Sequence, residues 1–137
     1  MRIGEERDRR QKEAAILARL PGALEELHRQ LAECVETYNA AFGPEEAAEI
    51  AFQSGKIRIT TRERKNGRWE AAAKIEISNM PTLPGFKVER GAEEALLIEI
   101  GLLPGDKLFY RNANKYLTVE EMTRRILDRA LFPKLAE

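Results

Sequence analysis

The stretch that decides the fold reads EIAFQ (49–53), KIRITTR (56–62) and RWEAAAKIEI (68–77), with short gaps between the three segments. Apolar and polar side chains alternate along each segment, which is the period of a strand that buries one of its faces. Small polar residues and glycines fill the gaps. The stretch therefore predicts two successive β-hairpins.

The two turns follow from matching the apolar faces of the strands. A two-residue Ser54-Gly55 turn sets Ile50 beside Ile59 and joins the first two strands face to face. A two-residue turn at Asn66-Gly67 would instead pair Ile59 with a lysine. We therefore expect a three-residue loop, 65–67, with a glycine bulge, which pairs Ile57 with Ile75, Ile59 with Ala73 and Thr61 with Ala71.

This register divides the central hairpin into an apolar face and a charged face. Trp69 falls on the apolar face, together with the isoleucines. The opposite face and the hairpin tip are rich in cations and form our candidate surface for an anionic partner. Its residues are Arg58, Arg62, Arg64, Lys65, Arg68 and Lys74.

Apolar residues at three- and four-residue spacing predict a long amphipathic helix over 14–42. Pro21 predicts a kink or a break in that helix, and Gly43-Pro44 predicts its end. Residues 1–12 are densely charged, and we expect a frayed N-terminus there or a solvated first turn of helix. Thr118 and Glu121 form a capping box that opens a last helix, with apolar positions that extend to Ala130 and Leu131.

Three further strands are predicted between the central hairpins and the last helix, over 86–90, 96–100 and 107–111. Because each helix has one apolar stripe and the sheet has one apolar face, both helices should cover the same side. The expected fold is two-layer α+β: a meander-like antiparallel sheet of about six strands, a long N-terminal helix and a C-terminal helix. Residues 13–137 are expected to form a single domain.

Composition narrows the classes of function. Lys plus Arg and Asp plus Glu number 23 each, so no net charge draws the whole chain toward nucleic acid. The charges are nonetheless segregated, because residues 13–52 hold eight acidic and two basic side chains whereas 54–74 hold seven basic and two acidic. One cysteine and the absence of an apolar signal or membrane segment predict a cytoplasmic protein that does not contact membranes.

Residues that carry chemistry are few. Cys34 and His28 are each the sole residue of their type, and we read them as a small buried hydrophobe and a helix-boundary residue. A group of glutamates (Glu89, Glu93, Glu94 and Glu99) offers carboxylates for acid–base work or a hard cation, but solvated surface charge explains it more simply. We predict no catalytic residues, cofactor or metal site, and no enzymatic activity.

Two functional hypotheses remain. The first is a non-catalytic protein that acts through protein–protein contacts, including a homodimer or another protein partner, because catalytic motifs are absent and charge is segregated. The alternative is binding of a nucleic acid, or another anionic polymer, by the basic face of the hairpin 56–77. The location assigned to Trp69 weighs against the alternative, since sheet readers of RNA present aromatic and basic groups on one face.

Overall fold

A computed structural model describes residues 3–43, 46–80, 83–91, 94–105 and 107–127. Within these residues one antiparallel sheet has seven strands in sequence order, so every strand pairs with its neighbour along the chain. The strands are β1 (Glu46–Gln53), β2 (Lys56–Lys65), β3 (Arg68–Asn79), β4 (Gly85–Arg90), β5 (Leu96–Leu103), β6 (Lys107–Asn112) and β7 (Lys115–Leu117). A long helix, α1 (Ile3–Phe42), precedes the sheet, and α2 (Val119–Leu127) follows it. The predicted α+β class and meander are confirmed, and β7 is the strand that the sequence did not predict.

The first turn is the one predicted. Ser54 and Gly55 both have positive φ, at 54° and 71°, as a tight two-residue hairpin turn requires. Ile50 lies opposite Ile59 and Phe52 opposite Ile57. The apolar faces of β1 and β2 therefore coincide.

The second turn differs from the prediction. Asn66 and Gly67 form a two-residue turn with φ of 52° and 76°, and Lys65 pairs with Arg68. The expected three-residue loop is therefore wrong, and the pairing is shifted by two residues. Ile57 lies opposite Ile77, Ile59 opposite Ile75 and Thr61 opposite Ala73.

A β-bulge resolves the mismatch that argued against the short turn. The register of β3 shifts at Ala72, because Thr61 pairs with Ala73 while the next residue, Arg62, pairs with Ala71. One extra residue at this point reverses which face the rest of the strand presents. Trp69 pairs with Arg64 and faces outward, so its predicted place on the apolar face is wrong.

Helix α1 is longer and less interrupted than predicted. It begins at Ile3, inside the segment expected to fray, and remains helical through Pro21 to Phe42, so the predicted break is absent. Ion pairs from Glu6 to Arg9 and Arg10, at helical spacing, accompany its exposed first turns. The residues of α1 buried against the sheet run from the middle of the helix to its end: Ile16, Leu20, Ala23, Leu24, Leu27, Leu31, Val35 and Tyr38. Met1 and Arg2 of the segment expected to fray, and Pro44 of the stop signal, lie outside the described residues.

Both helices contribute to one core on one face of the sheet. The inward rows of the sheet supply the isoleucines of β2 and β3, with Phe86, Ile98 and Tyr110 from later strands. Helix α2 adds Met122 and Ile126. Its predicted capping box is present, since the Glu121 N–H donates to Thr118 Oγ1 at 3.1 Å and the Thr118 N–H donates to Glu121 Oε1 at 3.3 Å. The predicted helical positions Ala130 and Leu131 lie outside the described residues.

The free edge of β1 is partly covered by a side chain of α1. The Asn39 amide donates from Nδ2 to the Ala48 carbonyl at 3.0 Å, and its Oδ1 accepts from the Ala48 N–H at 2.8 Å. We call this pair of bonds the Asn39 clamp. Nearby, the Tyr38 hydroxyl donates to the Glu46 carboxylate at 2.7 Å, which also fixes the end of α1 against the start of β1.

Candidate functional site

The outward side of β2 and β3 carries cations beside one large aromatic ring. Partners in the sheet register share a face, so Arg58, Arg62 and Arg64 project outward from β2. Lys74 and Trp69 project from β3 on the same side. We call these five residues the basic outer face. The bulge at Ala72 places Trp69 on the basic outer face, and no pattern in the sequence indicated that bulge.

The remaining two residues of the predicted surface lie elsewhere. Lys65 and Arg68 pair with each other next to the turn, one residue out of phase with Arg64 and Trp69. They therefore point to the other side of the hairpin tip. Beyond the β1 pairing, which ends at Glu63, the tip is a two-stranded ribbon with both sides exposed. The structure thus brings four of the six predicted cations onto one face and separates the other two.

Ion pairs neutralise only part of the basic outer face. Arg58 lies 3.2 Å from Glu76, and Arg62 lies 3.3 Å from Glu49. Within the described ranges, Arg64 and Lys74 form no ion pair. These ion pairs are exposed, so each contributes little stability. Each arginine can therefore exchange its carboxylate partner for another anion. The face therefore keeps an excess of positive charge.

Trp69 is 46% exposed, although tryptophan side chains are highly buried on average in folded proteins. It lies directly across the strand pair from Arg64. Ala71, with a small side chain, is its neighbour on the outward row of β3, and Lys74 follows further along the strand. About half of the Trp69 side chain is therefore accessible on the same side as these cations.

A second outward cluster lies at the other end of the sheet. Phe109 and Tyr116 contact each other, with ring centroids 5.3 Å apart. The Phe109 ring lies over Gly101, where an added Cβ would come within 2.1 Å of a ring carbon. Leu97 and Leu103 are exposed on the same side. We call these four side chains the outer apolar cluster.

Charged residues border the outer apolar cluster. Arg111 of β6 forms an ion pair with Glu99 of β5, and this bond raises the pKa of the guanidinium further. Glu99 belonged to the predicted group of carboxylates, but it serves here as a cross-strand partner. Glu93 of that group lies outside the described residues. An apolar centre with a charged border is the usual anatomy of a protein-contact surface.

The remaining candidate groups have structural surroundings. Cys34 packs against the core, and burial raises the pKa of its thiol, which disfavours the reactive thiolate. The His28 ring is half-buried at 5.0 Å from the ring of Phe52. Among the described residues, no group of three or more His, Cys, Asp or Glu side chains has the arrangement of a metal site. No described helix has the length and apolarity needed to span a membrane.

Comparisons with models of protein families, with curated proteins and with solved structures found no match to this chain.

Proposed function

We propose that this protein binds single-stranded nucleic acid on the basic outer face. The observation that carries the proposal is the outward position of Trp69 beside Arg62 and Arg64 on the hairpin 56–77. Binding of single strands without sequence readout combines cations that follow the phosphates with an aromatic ring on which a base stacks. The placement of Trp69 on the apolar face was the objection to nucleic-acid binding. Its outward position removes that objection.

The spacing of the arginines suits an extended strand. Side chains two residues apart on one strand face lie about 6.6 Å apart, since a β-strand rises about 3.3 Å per residue. Arg62 and Arg64 are therefore separated by one such step, and Arg58 lies two steps further along β2. A duplex presents its phosphates more densely, at one charge per about 1.7 Å of axis. An unstacked single strand lying along β2 is the better fit.

Trp69 also favours a single strand, because a base can stack on its ring only when that base is free of its neighbours. Base–aromatic stacking contributes roughly 1–3 kcal/mol per base in single-strand complexes. Phosphate contacts alone would give sequence-independent and strongly salt-dependent binding. We therefore expect weak sequence preference and a measurable response of the tryptophan itself.

The chain offers a built-in probe, because Trp69 is its only tryptophan. Titration with a single-stranded 12-mer at low salt should quench Trp69 fluorescence, and a matched duplex should bind more weakly. The logarithm of the affinity should fall with the logarithm of salt at a slope of about −2 for three phosphate contacts, at about −0.7 per contact. Trp69→Ala should weaken binding by roughly tenfold, the equivalent of about 1.4 kcal/mol.

Charge reversal distinguishes a specific face from general electrostatics. Arg58→Glu with Arg62→Glu should lower the affinity and bring the salt slope close to that of one contact. The matched control is Arg7→Glu with Lys12→Glu, which makes the same change in net charge on the exposed part of α1. Equal losses in the two double variants, or no binding at low salt, would refute the proposal.

A second candidate function, contact with another protein including a second copy of the chain, is favoured by the outer apolar cluster. Leu97 is 48% exposed and Tyr116 61% exposed, on a sheet face that no described element covers. Light scattering at micromolar concentration should then give a mass above that of a monomer, and Tyr116→Asp should restore the monomer. A monomeric wild-type protein would remove self-association and leave other partners to a pull-down.

A further inference from the structure

A depression lies on the outer side of the sheet, beside the turn that joins β1 and β2. Ala51 and Gln53 line it from β1, Lys56 and Arg58 from β2, and Ser54 from the turn. Ala51 pairs with Arg58 and Gln53 lies opposite Lys56, so these four side chains project to the side of the sheet that carries the basic outer face. We call it the β1–β2 depression.

The depression exists because a short side chain lies among long ones. On the outward row of β1, Ala51 is flanked by Glu49 and Gln53, and Arg58 lies opposite it on β2. The volume of the depression is about 210 Å³. Sites for drug-sized ligands measure roughly 300–1,000 Å³, so this one suits a single small group better than a whole nucleotide.

Most of the lining can donate hydrogen bonds. The donors are an amide, a hydroxyl, an ammonium and a guanidinium, from Gln53, Ser54, Lys56 and Arg58. Among the described residues, the side chains of Gln53 and Ser54 form no hydrogen bond, so both can bind an added group. The described lining includes no carboxylate. An anion with several acceptor oxygens can therefore bond to several lining groups at once.

Nearby carboxylates leave the depression positively charged. Glu76 of β3 lies 3.6 Å from Lys56 and 3.2 Å from Arg58, so one anion is shared by two cations. The Glu49 carboxylate instead forms an ion pair with Arg62, further along β2. All of these side chains are partly exposed, so the ion pairs contribute little stability and a more highly charged anion can displace Glu76.

These properties suit a phosphate at the end of a strand better than one inside it. A phosphomonoester carries about −1.5 to −2 charges at pH 7 and has three acceptor oxygens, whereas a phosphodiester carries one charge. The added charge strengthens each hydrogen bond that the group accepts. The position agrees, because Lys56 is the first residue of β2 and the row of outward cations on that strand ends there.

We propose that the β1–β2 depression binds the terminal phosphate of the single strand that lies along the basic outer face. This terminal-phosphate site rests on the proposed function and gives the bound strand a preferred end. Lys56 and Arg64 stand at opposite ends of the outward row of β2, about 26 Å apart at about 3.3 Å per residue. A 12-mer spans about 41 Å even at a stacked spacing of about 3.4 Å per nucleotide, so it reaches both the depression and Trp69.

The test compares three single-stranded 12-mers of one sequence, which carry a 5′ phosphate, a 3′ phosphate or no phosphate. Titrations at low salt are followed by Trp69 fluorescence. One of the phosphorylated strands should bind about tenfold tighter than the unphosphorylated strand, as expected for hydrogen bonds to a charged group. Its salt slope should be steeper by about 0.7, for one added contact. Inorganic phosphate, added at constant ionic strength, should remove this advantage by competing for the depression.

Two variants locate the effect in the depression. Ala51→Leu fills it without a change of charge and should abolish the preference for a phosphorylated strand, whereas Ala40→Leu, at an exposed alanine of α1, should keep that preference. Lys56→Gln removes one cation and should also reduce the preference. Its matched control is Lys12→Gln, which makes the same change of charge on the exposed part of α1. All four positions are exposed, so the variants should fold.

The outcomes separate this site from the proposed function. Equal binding of the three 12-mers to the wild-type protein would overturn the terminal-phosphate site and leave single-strand binding standing. A preference that survives in both Ala51→Leu and Lys56→Gln would also overturn it, because the added charge would then act elsewhere on the surface. If no 12-mer binds at low salt, the proposed function fails, and the terminal-phosphate site fails with it.

Discussion

Replacing Asn39 with alanine tests whether the Asn39 clamp stabilises the contact between α1 and the sheet edge. The variant loses two hydrogen bonds, of 3.0 Å and 2.8 Å, to the backbone of Ala48. Each intramolecular hydrogen bond contributes about 1 kcal/mol net, so their loss costs about 2 kcal/mol. Alanine regains roughly 0.6 kcal/mol through its higher helix propensity. We expect the free energy of unfolding to fall by about 1.5 kcal/mol.

Urea denaturation measures this difference, and the m-value should stay constant because the same surface is exposed on unfolding. Glu36→Ala is the matched control, since Glu36 is exposed on the same part of α1 and forms no ion pair with a described residue. That variant should stay within about 0.5 kcal/mol of the wild type.

A local measurement separates the clamp from a general loss of stability. In Asn39→Ala, hydrogen exchange at the Ala48 amide should accelerate more than exchange at the amide of Ile59, which lies on the adjacent strand β2. Asn39→Asp keeps an acceptor for the Ala48 N–H and replaces the donor with a carboxylate facing the Ala48 carbonyl. This variant should therefore retain protection at Ala48 but lose stability. If Asn39→Ala matched Glu36→Ala in both measurements, the clamp would contribute nothing and the reasoning would fail.

Three further predictions follow from the core, the bulge and a buried phenol. Leu27→Ala should lower the free energy of unfolding by roughly 2–5 kcal/mol in a denaturant melt, because Leu27 is fully buried; an unchanged melt would contradict its packing. Deleting Ala72 should remove the bulge and leave the fluorescence emission maximum of Trp69 unchanged. Deleting Thr60 from β2 should instead shift that maximum. Similar emission spectra for the two deletion variants would argue against the register. Because the folded-state pKa of Tyr110 is raised above 10.0, its contribution to stability is complete below pH 10 and declines as the pH rises above that value; Tyr110→Phe should flatten this decline, and parallel pH profiles would exclude the effect.

Features with a strong local signal were predictable from the sequence. The alternation of β2 gave the buried face correctly, and Ser54-Gly55 gave the first turn. The capping box at Thr118 marked the start of α2, since its chemistry requires neighbours only three residues apart. In each case the deciding contacts lie within one hairpin or one helical turn.

The placement of Trp69 was not predictable, and the reason lies in the three alanines 71–73. Alternation identifies a face only where apolar and polar residues contrast, and alanine is tolerated on both sides of a sheet. An extra residue inside this run therefore leaves no trace in the pattern. The turn signal at Asn66-Gly67 was correct, but without a bulge a two-residue turn would set Ile59 opposite a lysine, so the alternation predicted a three-residue loop instead.

The extent of α1 was underestimated for a different reason. Its first turns bury nothing, so they lack the apolar periodicity by which a helix is usually identified, and they are accompanied by ion pairs along the helix surface. At Pro21 the opposite occurs. The low helix propensity of proline predicts an interruption, but burial of Leu20 and Leu24 on either side keeps the segment helical.

The strict sequence order of the sheet has a consequence for how the chain acquires its structure. Each strand finds its partner across a short connection, so closing each hairpin costs little entropy and the sheet can grow one strand at a time. Helix α1 is synthesised before any of these strands, and its apolar stripe has no surface to cover until the central rows exist. During synthesis that stripe therefore remains exposed to water until β2 and β3 have emerged, and the core closes only when α1 docks on them.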